Sequence, residues 1–171
     1  MNYCWNQFHL VCAYGAFGSI TKKRYEIVIE GTQDKVITPK TVWKEYEFKA
    51  KPDNVHRTPP QVAPYHLRLD WLMWFLPFSV SVTSSGIFTH GYELWFLRFL
   101  KRLLEADQQT LKLIRKSPFG KEPPRFIRAR YYLYHFTNWK EKRESKAIWK
   151  RELIDEYFPP VNLDDLKLQI L

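Results

Sequence analysis

Cysteine is scarce here. The 171 residues hold two, Cys4 and Cys12, with six glycines and two methionines. On one extended segment the two thiols stand about 26 Å apart, beyond disulfide reach, so they say little about redox compartment. Phosphate-cradling glycine loops are missing too. Gly15 and Gly18 flank Phe17 in Tyr14-Gly15-Ala16-Phe17-Gly18, without G-x-G-x-x-G spacing or a lysine tip, which points to a bulge or tight bend. Ser19 lacks a G-x-S-x-G elbow, and Cys12 has no recognisable histidine partner. His9, His56, His66, His90 and His135 stand at no metal-ligand spacing. No catalytic residue, metal or cofactor is therefore expected. Met1-Asn2-Tyr3-Cys4-Trp5 has neither a basic start nor an apolar run, so no signal peptide is expected. Residues 71–92 carry no Asp, Glu, Lys or Arg, but Pro77, Ser79, Ser81, Thr83, Ser84, Ser85 and Gly86 interrupt them. They read as a short helix and a polar loop, with an interfacial segment as the alternative. No internal repeat or low-complexity tract occurs.

What is abundant is aromatic and basic. Aromatics make up 17% of the chain, with seven tryptophans, and apolar residues 45%, enough for one domain with a sizeable core. The formal net charge is +9. Such a balance suits nucleic acid, an anionic membrane face or an acidic partner. Here basic residues alternate with acids, as in Lys140-Glu141-Lys142-Arg143-Glu144, which reads as a solvated surface. A nucleic-acid reader calls for a denser basic stripe or a module motif, so none is predicted.

Periodicity places the elements. Residues 8–14 and 25–31 alternate as strands. In the second, Tyr25, Ile27 and Ile29 share one face and Glu26, Val28 and Glu30 the other. Residues 42–49 form a third strand, with Val42, Lys44, Tyr46 and Phe48 on one side, and the pattern implies an antiparallel sheet with one wet face. Pro52, Pro59, Pro60 and Pro64 make a stiff connector. Asp70 then caps a helix over residues 71–76, stopped by Pro77. Residues 93–105 form a stronger helix, and Asp107 caps another through Ile114. Residues 125–137 form a long strand. A charged loop over residues 138–146 links it to a hairpin partner over 147–153. Pro159-Pro160 ends the ordered chain, and residues 161–171 form a short amphipathic tail.

Two side-chain groups invite a functional reading. Glu26, Glu30, Glu45 and Glu47 offer paired carboxylates, but alternating glutamates on a solvated strand face explain them better. Arg128, Arg130, Tyr132 and Tyr134 share a strand face. They suit stacked bases and phosphates, or an acidic protein partner. Pairing of the arginines with Glu45 or Glu47 across strands is the plainer account.

Several blocks carry a resemblance. They are Tyr14-Gly15-Ala16-Phe17-Gly18-Ser19-Ile20 with Arg24-Tyr25-Glu26, Trp43-Lys44-Glu45-Tyr46-Glu47-Phe48-Lys49, and Ala63-Pro64-Tyr65-His66 with Arg68-Leu69-Asp70-Trp71. Arg128-Ala129-Arg130-Tyr131 and Trp149-Lys150-Arg151-Glu152-Leu153 follow. Together they resemble the C-terminal domain of the lipase maturation factor family, over residues 8–161, with 1–7 and 162–171 as terminal segments. The resemblance implies an endoplasmic reticulum location, on the luminal side of the membrane. It implies secreted lipases of the lipoprotein lipase kind as clients. Membrane attachment would come through an N-terminal half that this chain lacks, so the chain reads as a fragment or alternative product. Residues 76–92 depart from the family pattern and read as an insertion.

The expectation is an α+β fold. A mainly antiparallel β-sheet or sandwich carries a helical segment, about residues 70–116, on one face. The expected function is non-catalytic: assisting folding and dimer assembly of lipases through Phe17, Arg128, Arg130 and Tyr132, with Trp43, Tyr46, Trp71 and Trp74 in the core. The alternative is a lipid-acting enzyme or an enzyme accessory domain.

Overall fold

A computed structural model describes residues 23–62, 64–83, 86–89 and 91–170. The expected strand over residues 8–14, the glycine bend, Phe17 and both cysteines lie outside the described residues. The element that organises the rest is β1 (Arg24–Thr32). Its alternation sends Ile27 and Ile29 to one face and Glu26, Val28 and Glu30 to the other, and all five are buried. A strand covered on both faces sits inside a sheet. Among the described residues the order is β2-β1-β5-β6, with β2 (Lys44–Glu45), β5 (Phe126–Phe136) and β6 (Trp149–Val161), every pair antiparallel. Three register shifts between β5 and β6 absorb extra residues of the longer strand.

Helices cover the Ile27 face. α1 (Arg68–Phe75) runs into a 3₁₀ turn, Leu76–Ser79, and α2 (Leu94–Leu104) follows. α2 buries Phe96, Leu97, Phe99, Leu100, Leu103 and Leu104, the i, i+3, i+4, i+7, i+8 stripe of an amphipathic helix. Lys101 and Arg102 fall in its last turn, where the helix dipole favours cations. These side chains join Ile27, Ile29, Ile127, Ala129, Tyr131 and Phe158 in one core with Met73 and Leu76. Each fully buried Leu or Phe contributes about 1.5–3 kcal/mol. The α+β class with helices on one face of an antiparallel sheet is as expected.

Local differences have identifiable causes. The strand expected over residues 42–49 is β2 alone plus a single Glu47–Lys116 bridge. Beyond it the Phe48 amide turns to the Asp53 carboxylate instead of a neighbouring strand. The polar loop after Leu76 is a hairpin, β3 (Val80–Thr83) and β4 (Gly86–Thr89). Asp155 of β6 anchors it, accepting the Ile87 amide at 2.9 Å. Gly86 has φ +129°, and a Cβ there would lie 2.6 Å from Asp155 Oδ2, so only glycine fits. Asp107 caps as expected, accepting the Thr110 amide at 2.8 Å, but its helix α3 (Gln108–Leu111) is one turn. The charged segment after β5 is α4 (Trp139–Ser145), opened by an Asn138–Glu141 capping box. Pro159-Pro160 does not end the order. β6 continues to Val161, and α5 (Leu163–Ile170) buries Leu166 in the core. Among the described residues, no helix is long and apolar enough to cross a membrane.

Candidate functional site

The second face of the sheet carries the glutamates and arginines singled out from the sequence, and it is not a wet face. Residues 49–57 fold over it. The Val55 carbonyl accepts the amides of Ile148 and Trp149 at 2.8 and 3.0 Å, pinning this segment to the start of β6. Val55 packs beside Val28, Tyr132, Tyr134 and Trp149. Burial then forces the charges to pair. Glu26 takes Arg24 Nε at 2.8 Å and lies 3.4 Å from the buried Lys51 ammonium. Glu30 takes Arg128 Nε and Nη2, each at 2.7 Å, with Arg130 Nε at 3.6 Å. The Arg128 guanidinium also lies 4.0 Å from the Trp43 ring centroid. Glu45 grips Arg151 with both carboxylate oxygens. Arg151 donates to the Tyr134 hydroxyl at 3.2 Å, and that hydroxyl donates to the Asp53 carbonyl at 3.1 Å. Burial pushes the Tyr134 phenol well above its ordinary value, with Arg151 pulling the other way. This face is a closed ionic layer that fixes the covering segment to the sheet.

The exposed chemistry lies on α1. α1 and the 3₁₀ turn after it bury Asp70, Met73 and Leu76, while Trp71 and Trp74 are half-buried and Phe75 and Phe78 exposed. These four rings recur at i, i+3, i+4 and i+7 and touch in sequence along one stripe. Trp71 meets Trp74 and Phe75 at centroid distances of 5.2 and 5.1 Å, and Phe78 meets Trp74 and Phe75 at 5.5 and 5.9 Å. Phe75 is 38% and Phe78 66% exposed. Asp70 is no helix cap. It accepts the Ala50 and Lys51 amides at 2.6 and 3.1 Å, tying α1 to the covering segment. Between α1 and the sheet end lies a cavity of about 360 Å³. Trp71, Trp74 and His66 line one side, Phe136 and Trp149 the other, and Pro59 and Pro60 also contribute. Phe136 and Trp149 stack at 4.0 Å. Arg24, Lys51 and Asp70 supply its charged groups, and among the described residues no Ser, Thr or Cys lines it.

The family model described as the lipase maturation factor C-terminal domain matches residues 10–159. The chain belongs to the lipase maturation factor family. Human lipase maturation factor 1 is 39% identical over 170 residues, covering 98% of this chain and 28% of its own length. The mouse protein of that name is 41% identical over the same span. Chicken (Gallus gallus) lipase maturation factor 2 is 36% identical over 166 residues, 93% of this chain and 21% of its own. The chain thus spans about a quarter of the length of these relatives. No solved structure matches it.

Within this lipase maturation factor domain, Arg128, Arg130 and Tyr132 come together on one face of β5, as the alternation requires. Arg128 and Tyr132 are largely buried, whereas Arg130 keeps 30% of its side chain exposed. The arginines do pair across strands, but with Glu30 rather than Glu45 or Glu47, which take Arg151 and Arg115. Tyr46 is buried as expected. Trp43, Trp71 and Trp74 are half-buried, not core. The residues missed were Phe75 and Phe78. The i, i+3, i+4, i+7 ring spacing was a visible signal for a stripe, but it does not say which side of the helix the core occupies.

Proposed function

We propose that this domain is a non-catalytic assembly module in lipase maturation. It grips partly folded secreted lipases in the lumen of the endoplasmic reticulum until their subunits pair. The observation that carries this is the surface ring stripe ending in Phe75 and Phe78. Phe75 and Phe78 stand exposed beside each other, and an exposed pair of large aromatic rings marks an interaction surface. The names of the relatives, lipase maturation factors 1 and 2, supply the client class. Arg130 and Phe17 are proposed as further contacts, with Arg128 and Tyr132 beside Arg130 on the same face. The cavity supports a binding role over a hydrolytic one, because among the described residues its lining has carboxylate, imidazole and cations but no hydroxyl or thiol nucleophile.

The test is a chimera in which this chain replaces the matched 28% of human lipase maturation factor 1. It is expressed with lipoprotein lipase in cells lacking the endogenous factor, and secreted active dimer is scored. Rescue is expected, falling several-fold with Phe75→Ser and Phe78→Ser. Absence of rescue where the unaltered human factor succeeds, or rescue indifferent to both substitutions, would overturn the proposal.

A further inference from the structure

The formal charge of +9 is dispersed along the sequence but not over the fold. Residues 112–125 hold five cations and one carboxylate, and they lie against β2 and the residues after it. The Arg115 and Lys116 amides donate to the Glu47 carbonyl at 2.8 and 3.1 Å. Lys49 Nζ donates to the Lys112 carbonyl at 2.5 Å. Lys44 Nζ stands 5.7 Å from the Phe119 ring centroid, and the Arg125 amide donates to the Thr32 carbonyl at 2.8 Å. One edge of the sheet thus gathers Lys44, Lys49, Lys112, Lys116, Lys121 and Arg125, all exposed. Among the described residues, none of the six has a carboxylate in ion-pair contact. The nearby acids are already engaged: Glu47 with Arg115 at 3.7 Å, and Glu122 with the Gln33 amide at 2.9 Å. On the covered sheet face, by contrast, Arg24, Arg128 and Arg151 each hold a glutamate.

The edge is also firmly built. Ile114 is buried, and the Phe119 ring sits so close to Gly31 that a Cβ there would lie 2.8 Å from it. Pro118, Pro123 and Pro124 restrict the backbone between the cations. A cation set held in place gives up little freedom on binding.

We propose that this edge is a docking platform for an acidic polypeptide segment in which Asp and Glu alternate with aliphatic residues. Unanswered cations call for an anionic partner. Their neighbours select its kind. Leu113, beside Lys112, is 52% exposed, and Val42, two residues before Lys44, is 66% exposed. A nucleic acid or a sulfated polysaccharide is charged along its whole length and offers those aliphatic groups no match. Residues 42–49 and 112–125 also present no exposed ring for a base to stack on. A lipid surface calls for aromatic anchors. The exposed rings Phe136 and Trp139 stand at the far end of β5, roughly 35 Å along the strand from Arg125. The platform goes beyond the maturation reading, which uses the rings of α1, and does not depend on it.

The full chain is titrated by calorimetry with the blocked peptide acetyl-Glu-Asp-Leu-Glu-Asp-Val-Glu-Glu-amide. The comparison probes are the same peptide with Gln and Asn for its acids, a heparin oligosaccharide and a DNA oligomer of equal charge. Saturable binding of the acidic peptide is expected, weakening several-fold as salt rises past physiological ionic strength. The amide peptide does not bind, and the other two polyanions bind more weakly. Lys112→Glu with Lys116→Glu weakens peptide binding about tenfold or more. Lys140→Glu with Arg143→Glu on α4 makes the same change in net charge far from the platform, and affinity stays within about twofold. Thermal melts check folding, and Lys121→Glu with Arg125→Glu decides in place of a first pair that fails to fold. No binding of the acidic peptide, equal weakening by the platform and α4 pairs, or tighter binding of heparin or DNA overturns the proposal.

Discussion

Lys51→Met isolates the electrostatics of the covered sheet face. Lys51 and Glu26 have side-chain exposures of 2% and 0%, with Nζ and Oε2 3.4 Å apart. At an effective dielectric of 20, that separation corresponds to an attraction of about 5 kcal/mol. The substitution leaves the Glu26 carboxylate buried with Arg24 as its remaining cation, held at 2.8 Å from the half-exposed end of β1. Breaking a buried pair costs about 3–5 kcal/mol, and the surviving Arg24 contact places the loss near the lower end, about 3 kcal/mol. With a urea m-value of about 2 kcal/mol/M, the midpoint falls by about 1.5 M. The double variant Glu26→Leu with Lys51→Met removes both charges and recovers most of that loss, because well-packed apolar side chains replace buried ions at little net cost. A single-variant loss below about 1 kcal/mol, or a double variant no better than the single, refutes a closed ionic layer.

Other expectations are simpler to read out. Arg128→Ala leaves the buried Glu30 with only the longer 3.6 Å contact to Arg130 and loses the Trp43 ring, costing about 3 kcal/mol in urea melts. Arg130→Ala, from a more exposed position 3.6 Å from Glu30, stays within about 1 kcal/mol. Lys146 closes α4 at φ 55°, so Lys146→Gly raises stability by about 1 kcal/mol in the same assay. Asp107→Ala lowers the melting temperature at pH 7. The Thr110 hydroxyl and amide bonds hold the Asp107 carboxyl below its ordinary value of 3.8. A depressed folded value stabilises above 3.8 and is lost as pH falls through it. The gap between wild type and variant therefore narrows in that acid window, and a constant gap would refute the cap.

Much of the architecture was legible because it follows periodicity. The 2-residue alternation of β1 and β5 and the 3.6-residue stripe of α2 each fix a buried face without reference to anything distant. What escaped depends on tertiary cover. Glu26 and Glu30 look solvated until residues 49–57 fold over them, and no local pattern announces a lid made of loop. Asp70 sits where a helix cap belongs, yet its carboxylate serves amides 19 and 20 residues earlier in the chain. The site was the least legible part. Trp71 and Trp74 suggest core by residue type, yet Met73 and Leu76 hold the core side and leave both rings half-buried against the cavity. The cavity joins residues from Arg24 to Trp149 and has no local signature at all.

The ladder joining β1 to β5 dictates when this molecule can become itself. The Glu30–Arg128 bond closes a separation of 98 residues, and Arg151–Glu45 one of 106. Such distant pairing makes for slow folding, since chain entropy is surrendered before any ladder contact repays it. At a ribosomal rate of about 5–20 residues per second, β1 waits roughly 5–20 seconds after its synthesis for its partner strand to be made. A domain proposed to shelter unfinished proteins is thus, for that interval, an unfinished protein too.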